Sequence, residues 1–146
     1  MTNYEMIRRF AQSVDTVYEQ LVNMEQYPMW MKNIDRVTVL TRVENTTETK
    51  WEATLDGRKI TWTERDVYDA DAHTITYKLI EGDMSEMEGS WQVSETEDGG
   101  CEVRLQGSFS FGIPMMALFI EPILKRKLEE NGQMLMDGID SYLSMQ

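Results

Sequence analysis

Two carboxylates placed two positions apart offer the clearest acid–base chemistry in this sequence. Glu64 and Asp66 fall in a stretch of alternating residues that predicts a β-strand, so both side chains lie on one face of it. Carboxyl groups in that arrangement can pair as acid and base. The alternation places them opposite Arg65, and we favour a solvated face over a catalytic pair.

Arg65 is the residue whose direction matters most, because the two faces of its strand compete for burial. Arg65 shares one face with Lys59, Thr61, Thr63 and Val67. The opposite face carries Ile60, Trp62, Glu64 and Asp66. Trp62 favours burial more strongly than any residue on the first face, so the pattern alone places Trp62 inward and Arg65 in solvent. The pattern does not settle the choice.

Other reactive side chains are scarce. The chain has one histidine and one cysteine, so it cannot assemble a His/Cys metal cluster or a disulfide framework. We expect His73 to be solvated in a turn and Cys101 to be a small buried hydrophobic residue at the start of a strand. The sequence contains no nucleophile elbow, Walker loop or dinucleotide-binding glycine motif. We therefore predict no metal and no cofactor.

The elements that position these residues follow from the hydrophobic spacing. Residues 4–11 predict a first strand. Apolar residues then recur at helical spacing over 14–22, which predicts a short amphipathic helix with Ser13 or Asp15 as its cap. A second short helix is expected over 25–31.

The rest of the chain predicts a sheet followed by helix. From Arg36 to Phe111 the period changes to two, which is typical of antiparallel strands, with Asp56-Gly57 as a hairpin turn. Pro114 is expected to begin a short helix, and Pro122–Leu143 to form a long one. The order predicts an α+β fold in which a curved antiparallel sheet of about seven strands surrounds the long C-terminal helix.

A cavity is expected between this sheet and the long helix. We predict a volume of several hundred Å³, the usual size of a ligand site. The residues predicted to line it are Trp51, Trp91, Leu105, Phe109, Leu128 and Asn131. The chain also has 12 methionines, which suit a surface that adapts to a ligand. Those predicted at the cavity mouth are Met29, Met31, Met84, Met87, Met115 and Met116.

Length and charge limit the classes of partner. The 146 residues fit a single domain spanning 1–146. Lys and Arg number 14 against 26 Asp and Glu, and the net charge of −12 repels nucleic acid and anionic lipid. No signal sequence and no apolar stretch long enough to span a bilayer occurs, so we expect a cytoplasmic protein without stable membrane insertion.

The order of predicted elements resembles the START-like superfamily, also called helix-grip, Bet v 1-like or SRPBCC. The resemblance is closest to its polyketide cyclase and coenzyme Q-binding branch, and it is carried by residues 13–40, residues 63–109 and the final helix with Asn131. The spacing of Arg65, Gly82 and Gly89-Ser90-Trp91 resembles that of bacterial aromatase/cyclases. The resemblance implies a helix-grip fold over essentially the whole chain.

The same resemblance implies roles for particular residues. In aromatase/cyclases, an arginine at the position of Arg65 points into the cavity and anchors oxygen atoms, so we expect Arg65 to face inward as the catalytic residue. The candidate ligand-binding residues are Trp51, Thr61, Thr63, Tyr77, Met87, Trp91, Leu105, Phe109, Leu128 and Asn131. The chain departs from the family at Ile34, where the cyclases have a tyrosine, so a proposed proton donor is absent.

Two functions from different classes are compatible with these residues. The leading hypothesis is a polyketide cyclase-like protein that folds a hydrophobic, oxygenated chain for cyclisation, with Arg65 stabilising a developing enolate. The alternative is a non-catalytic carrier of a quinone or lipid, which the missing tyrosine and the methionines favour. A protein-interaction module is a third hypothesis. In each ligand-binding case we expect a monomer or homodimer.

Overall fold

The computed structural model describes residues 1–55, 57–112 and 114–145, without the side chains of residues 114–118. Seven strands, two α-helices and a short 3₁₀ helix make up the described chain. The strands are β1 (Thr2–Phe10), β2 (Ile34–Val43), β3 (Thr46–Leu55), β4 (Arg58–Asp69), β5 (Thr74–Gly82), β6 (Glu86–Glu95) and β7 (Cys101–Ser110). The helices are α1 (Val14–Val22), the 3₁₀ helix (Met24–Met29) and α2 (Pro114–Ser144). The predicted α+β helix-grip fold is confirmed.

Helix α1 begins where the sequence predicts. Ser13 is its N-cap, and the Ser13 hydroxyl accepts a hydrogen bond from the backbone N–H of Thr16 at 3.3 Å. Val17, Tyr18 and Leu21 are buried on one face of the helix. The cap satisfies an N–H that the first turn leaves without a partner, and the apolar stripe attaches the helix to the sheet.

All seven strands form one antiparallel sheet in the order β1-β7-β6-β5-β4-β3-β2. Strands β2 to β7 form a continuous meander, and β1 pairs with β7, so β1 and β2 are the two edge strands. Each of these strands sends alternate side chains to the inner face, where α2 packs against β1 and β7. Trp91 and Phe109 are buried on this face, as the alternation predicts.

The C-terminal helix differs from the sequence-based expectation. We expected two helices with a break before Pro122, but α2 runs without interruption from Pro114 to Ser144 and contains Pro122. Tertiary contacts hold the turn before the proline. Glu121 is buried and accepts hydrogen bonds from the Thr2 hydroxyl at 2.5 Å and from the backbone N–H of Phe111 at 3.2 Å. These contacts offset the backbone hydrogen bond that proline cannot make.

Two further expectations concern single positions. Asp56, predicted as part of the hairpin turn between β3 and β4, lies outside the described residues, while Gly57 has the positive φ of 79° that such a turn requires. Among the described residues, no helix is at once long enough and apolar enough to cross a membrane.

Candidate functional site

A small, partly open cavity lies between α2 and the inner face of the sheet. Its volume is about 100 Å³, so the expectation of several hundred Å³ is wrong. The described residues that line it are Met31, Ile34, Trp51, Ala53, Leu55, Ile60, Trp62, Met84, Met87, Phe109, Phe111, Leu124, Lys127, Leu128 and Asn131. Aliphatic, aromatic and methionine side chains dominate this set, so the cavity suits an apolar molecule.

Five of the candidate ligand-binding residues line this cavity. They are Trp51, Met87, Phe109, Leu128 and Asn131. Three others, Tyr77, Trp91 and Leu105, are buried inside the sheet but do not line the cavity. The Tyr77 hydroxyl is hydrogen-bonded to the Tyr4 hydroxyl, and the Trp91 ring lies 6.5 Å from that of Tyr27. These three residues belong to the packed part of the interior.

Arg65 lies on the opposite face of the sheet. Its side chain is 57% exposed and forms an ion pair with Glu48, with 3.7 Å between Nη2 and Oε2. The expectation that Arg65 points into the cavity is therefore wrong. Because side chains alternate along a strand, Thr61 and Thr63 share this outer face and do not reach the cavity either. The physical reason is Trp62, whose burial fixes the register of β4.

Glu64 and Asp66 lie on the inner face, and the expectation of a solvated pair is also wrong. Glu64 is 4% exposed and Asp66 is fully buried. The indole N–H of Trp62 donates to Glu64 Oε1 at 2.9 Å, and the hydroxyl groups of Thr47 and Thr49 donate to Asp66 Oδ2 at 3.2 and 2.7 Å. Buried carboxyl groups require such partners, and neighbouring strands supply them.

Glu64 and Asp66 influence each other's ionisation. Burial raises the pKa of Glu64 well above its ordinary value, and the neighbouring Asp66 raises it further. Burial also raises the pKa of Asp66, whereas Glu64 and the hydrogen bonds from Thr49 and Thr47 lower it. Among the described residues, Asp66 Oδ1 has no hydrogen-bond partner. Glu64 therefore holds its proton to a higher pH than an exposed glutamate does.

Tyrosine hydroxyl groups extend this polar cluster away from the cavity. The Tyr68 hydroxyl is 2.9 Å from the Thr47 hydroxyl, and burial raises the pKa of Tyr68 to about 12. Tyr27 donates to the carbonyl oxygen of Leu21 at 2.6 Å, and burial raises its pKa well above 10. The interior thus has a hydroxyl- and carboxyl-rich region on one side of the tryptophans and an apolar cavity on the other.

Lys127 and Asn131 also line the cavity, but its surface is almost entirely apolar, so Lys127 contributes its aliphatic stem and its ammonium group points away. The two residues lie one turn apart on α2. The Asn131 carbonyl oxygen accepts from the backbone N–H of Asn33 at 3.2 Å, and its amide donates to the carbonyl of Lys127 at 2.8 Å. Lys127 Nζ is 3.8 Å from Glu130 Oε2. The sequence analysis missed Lys127, although its spacing from Leu124, Leu128 and Asn131 places it on the inner face.

The methionines predicted at the mouth take different positions. Met31, Met84 and Met87 are buried and line the cavity, whereas Met29 is 72% exposed. The side chains of Met115 and Met116 lie outside the described part of the chain. The cavity wall therefore contains three side chains that are unbranched and change rotamer easily.

His73 and Cys101 remain apart from the cavity. His73 is not fully solvated as expected, because its Nε2 lies 2.7 Å from Asp15 Oδ1 and its ring packs edge-on against Tyr18. Cys101 is fully buried, as predicted, and burial raises the pKa of its thiol to about 11. In the described residues, no three His, Cys, Asp or Glu side chains are arranged to hold a metal ion.

A larger depression of about 1260 Å³ lies on the outer face of the sheet. Arg65, Lys78 and Glu88 are among the charged residues that line it, and it is open to solvent. An apolar molecule would remain hydrated there, so the cavity between α2 and the sheet is the better candidate site despite its smaller volume.

Comparison with known proteins identifies similar chains. A model of the family described as "polyketide cyclase / dehydrase and lipid transport" matches residues 11–136. Among curated protein sequences, none matches significantly. One similar solved structure is a protein from Thermus thermophilus, which has 21% identity and a TM-score of 0.86, with 96% of this chain and 95% of that chain covered.

Two further structures have lower sequence identity. The Zhui aromatase/cyclase from Streptomyces sp. R1128 is 18% identical, with a TM-score of 0.80 over 93% of this chain and 92% of that chain. A START superfamily protein from Mycobacterium smegmatis is 17% identical, with a TM-score of 0.74 over 98% and 97% of the two chains. At these identities the likeness establishes a shared fold, and activity has to be argued from the site.

Proposed function

Since the chain belongs to the polyketide cyclase/dehydrase and lipid transport family, we propose that it binds a hydrophobic small molecule that carries an oxygen atom. The observation that supports this most directly is the apolar cavity between α2 and the sheet, whose wall includes Lys127 and Asn131. Apolar surface would provide most of the affinity, and the two polar side chains would orient the oxygen.

The cavity has to widen to admit such a molecule. A volume of about 100 Å³ is below the roughly 300 Å³ at which ligand sites begin. Met31, Met84 and Met87 provide wall side chains that can move without breaking hydrogen bonds of their own. Widening in response to a ligand fits a carrier, which has to load and release its cargo.

Cyclisation of a polyketide is the second candidate function, and Lys127 is the observation that favours it. The Lys127 stem lines the cavity, so rotation of this side chain would bring its ammonium group to an enolate or alkoxide that develops on the bound molecule. The outward direction of Arg65 removes the arginine on which this hypothesis first depended. Mass spectrometry of the molecule that copurifies, and of an added polyketide after incubation, distinguishes the two. A carrier returns its ligand unchanged, whereas a cyclase releases a cyclised or dehydrated product.

Filling the cavity should abolish binding without unfolding the protein. Ala53 is 3% exposed and lines the cavity, so leucine at this position would occupy the space that a ligand needs. We expect Ala53→Leu to weaken binding of 1,4-naphthoquinone by more than about tenfold, measured by calorimetry, which corresponds to about 1.4 kcal/mol. Lys50→Leu, on the outer face of the same strand, is the matched control. Unchanged affinity in Ala53→Leu would place the ligand elsewhere.

Removing the cation should weaken binding only of oxygen-bearing ligands. A hydrogen bond from an ammonium group to a ligand oxygen is worth about 1.5–3 kcal/mol, so Lys127→Met should lower affinity for 1,4-naphthoquinone by about ten- to hundredfold. Affinity for naphthalene, which has no oxygen, should stay within about twofold. Lys125→Met, an exposed position on the same helix, is the control. An equal loss for both ligands would mean that Lys127 contributes packing rather than a hydrogen bond.

A further inference from the structure

Two tryptophans of the cavity wall stack against each other. Trp51 on β3 and Trp62 on β4 are directly opposite in the antiparallel register. Their rings are nearly parallel, with centroids 5.6 Å apart and an angle of 8° between planes. Both residues line the cavity. Parallel rings at this centroid separation are an offset stack, one of the favoured aromatic geometries.

Hydrogen bonds connect both indole N–H groups of this stack to the carboxyl pair, directly for Trp62 and through Thr49 for Trp51. Trp62 donates its indole N–H to Glu64 at 2.9 Å. Trp51 donates its own to the Thr49 hydroxyl at 2.9 Å, and Thr49 donates in turn to Asp66 at 2.7 Å. Glu64 and Asp66 lie two positions apart on the same face of β4, so each indole is linked to one member of the carboxyl pair. Each indole has one N–H donor, and both donors are already used within the protein.

Stability alone does not account for two carboxyl groups in this position. Burying carboxyl groups carries a desolvation penalty, and well-packed apolar residues of similar size often stabilise a fold as well or better. Apolar residues would leave the Trp62 N–H and the Thr49 hydroxyl without their hydrogen-bond acceptors. The orientation of the tryptophans is thus the property that depends specifically on Glu64 and Asp66.

We infer that Glu64 and Asp66 are positioning residues that hold Trp51 and Trp62 in a parallel stack at the cavity, and that this stack selects a planar conjugated ring over a flexible acyl chain. The inference rests on the proposed function, since it concerns the ligand of the same cavity. A rigid ring can continue the stack on an outer face of one indole and loses little conformational freedom. An acyl chain loses the freedom of several rotatable bonds and gains no stacking.

The test compares two ligands and one spectroscopic signal in three variants. The ligands are 1,4-naphthoquinone and decanoate, and the signal is the exciton couplet of the stacked indoles in the circular dichroism spectrum. Wild-type protein should bind the naphthoquinone more tightly.

Glu64→Leu should lose the couplet and bind the naphthoquinone about three- to tenfold more weakly, with decanoate affinity within about twofold. Glu64→Gln, which keeps an acceptor for Trp62, should retain the couplet and the preference. Thr49→Val, nearly isosteric, releases Trp51 and should reproduce Glu64→Leu even if that variant does not fold.

Distinct outcomes separate this inference from the proposed function. A couplet that persists in both Glu64→Leu and Thr49→Val, or equal losses for the two ligands, would overturn the positioning role. A wild-type preference for decanoate would overturn the selection of planar rings. Wild-type protein that binds neither ligand would contradict the proposed function, and the couplet would still decide whether the carboxyl pair orients the tryptophans.

Discussion

Glu64→Gln is expected to flatten the pH dependence of stability at and above mildly acidic pH. Burial and Asp66 raise the pKa of Glu64 in the folded protein, so Glu64 keeps its proton at pH values where the unfolded chain has lost it. Folding then takes up a proton, and raising the pH through this window lowers the free energy of unfolding. The window begins near the ordinary glutamate pKa of about 4.3, and the slope for one proton reaches about 1.4 kcal/mol per pH unit.

Glutamine removes this slope because it cannot ionise. Its carbonyl oxygen can still accept from the indole N–H of Trp62, so this hydrogen bond is kept. The variant should therefore be more stable than wild type at pH 7, with a smaller difference at pH 4.5. Urea unfolding at half-unit pH intervals measures both curves. Glu88→Gln, an exposed position on β6, should follow the wild-type curve. Parallel curves for Glu64→Gln and wild type would mean that Glu64 ionises normally inside the fold.

The order of elements could be predicted from the sequence because it depends on local signals. Ser13 caps α1, and alternation places Trp51, Trp91 and Phe109 on the buried face. Each of these signals acts within a few residues of chain. The alternation along β4 also predicts correctly which residues face inward, because Trp62 lies on the inner face and Arg65 on the exposed one.

The resemblance to aromatase/cyclases led to the wrong face at Arg65. A strand has a side-chain period of two, so a shift of one residue between two chains moves every side chain to the other face. In this chain the position next to Arg65 on either side carries a carboxyl group, Glu64 or Asp66, and both carboxyl groups are buried. Equal spacing of motif residues along two chains therefore does not show that the matched arginine lies on the same face of the strand.

The burial of Asp66 depends on partners from another strand. Thr47 and Thr49 belong to β3, whereas the partner of Glu64, Trp62, is on β4 itself. Without those partners, two carboxylates on a strand are most simply explained as a solvated face. The same holds for Pro122, because Thr2 and Phe111 contact Glu121 and keep α2 continuous. The burial of Asp66 and the continuity of α2 therefore depend on tertiary contacts.

Gly89→Ala is expected to be the most damaging small substitution on the inner face. Tyr4, Gly107, Gly89 and Tyr77 form one row across β1, β7, β6 and β5. The two tyrosine rings lie over the two glycines, and their hydroxyl groups are hydrogen-bonded above them. A Cβ on Gly89 would collide with the Tyr77 hydroxyl and lie 2.6 Å from the carbonyl oxygen of Gln106. The collision with backbone cannot be relieved by a rotamer change.

The expected cost is about 2–4 kcal/mol in the free energy of unfolding. Overpacking contributes about 1–3 kcal/mol, and loss of the buried hydroxyl pair adds about 1 kcal/mol. Ser90→Ala, the neighbouring position on the outer face, should change stability by less than about 0.5 kcal/mol. Gly89→Ala should cost less when Tyr77 is replaced by leucine, because the collision with the ring is then removed and only the contact with the Gln106 carbonyl remains. A cost of Gly89→Ala that is unchanged in the Tyr77→Leu background would show that the tyrosine ring is not what the glycine accommodates. The row thus accounts for the burial of Tyr77 on the inner face, where its ring covers Gly89.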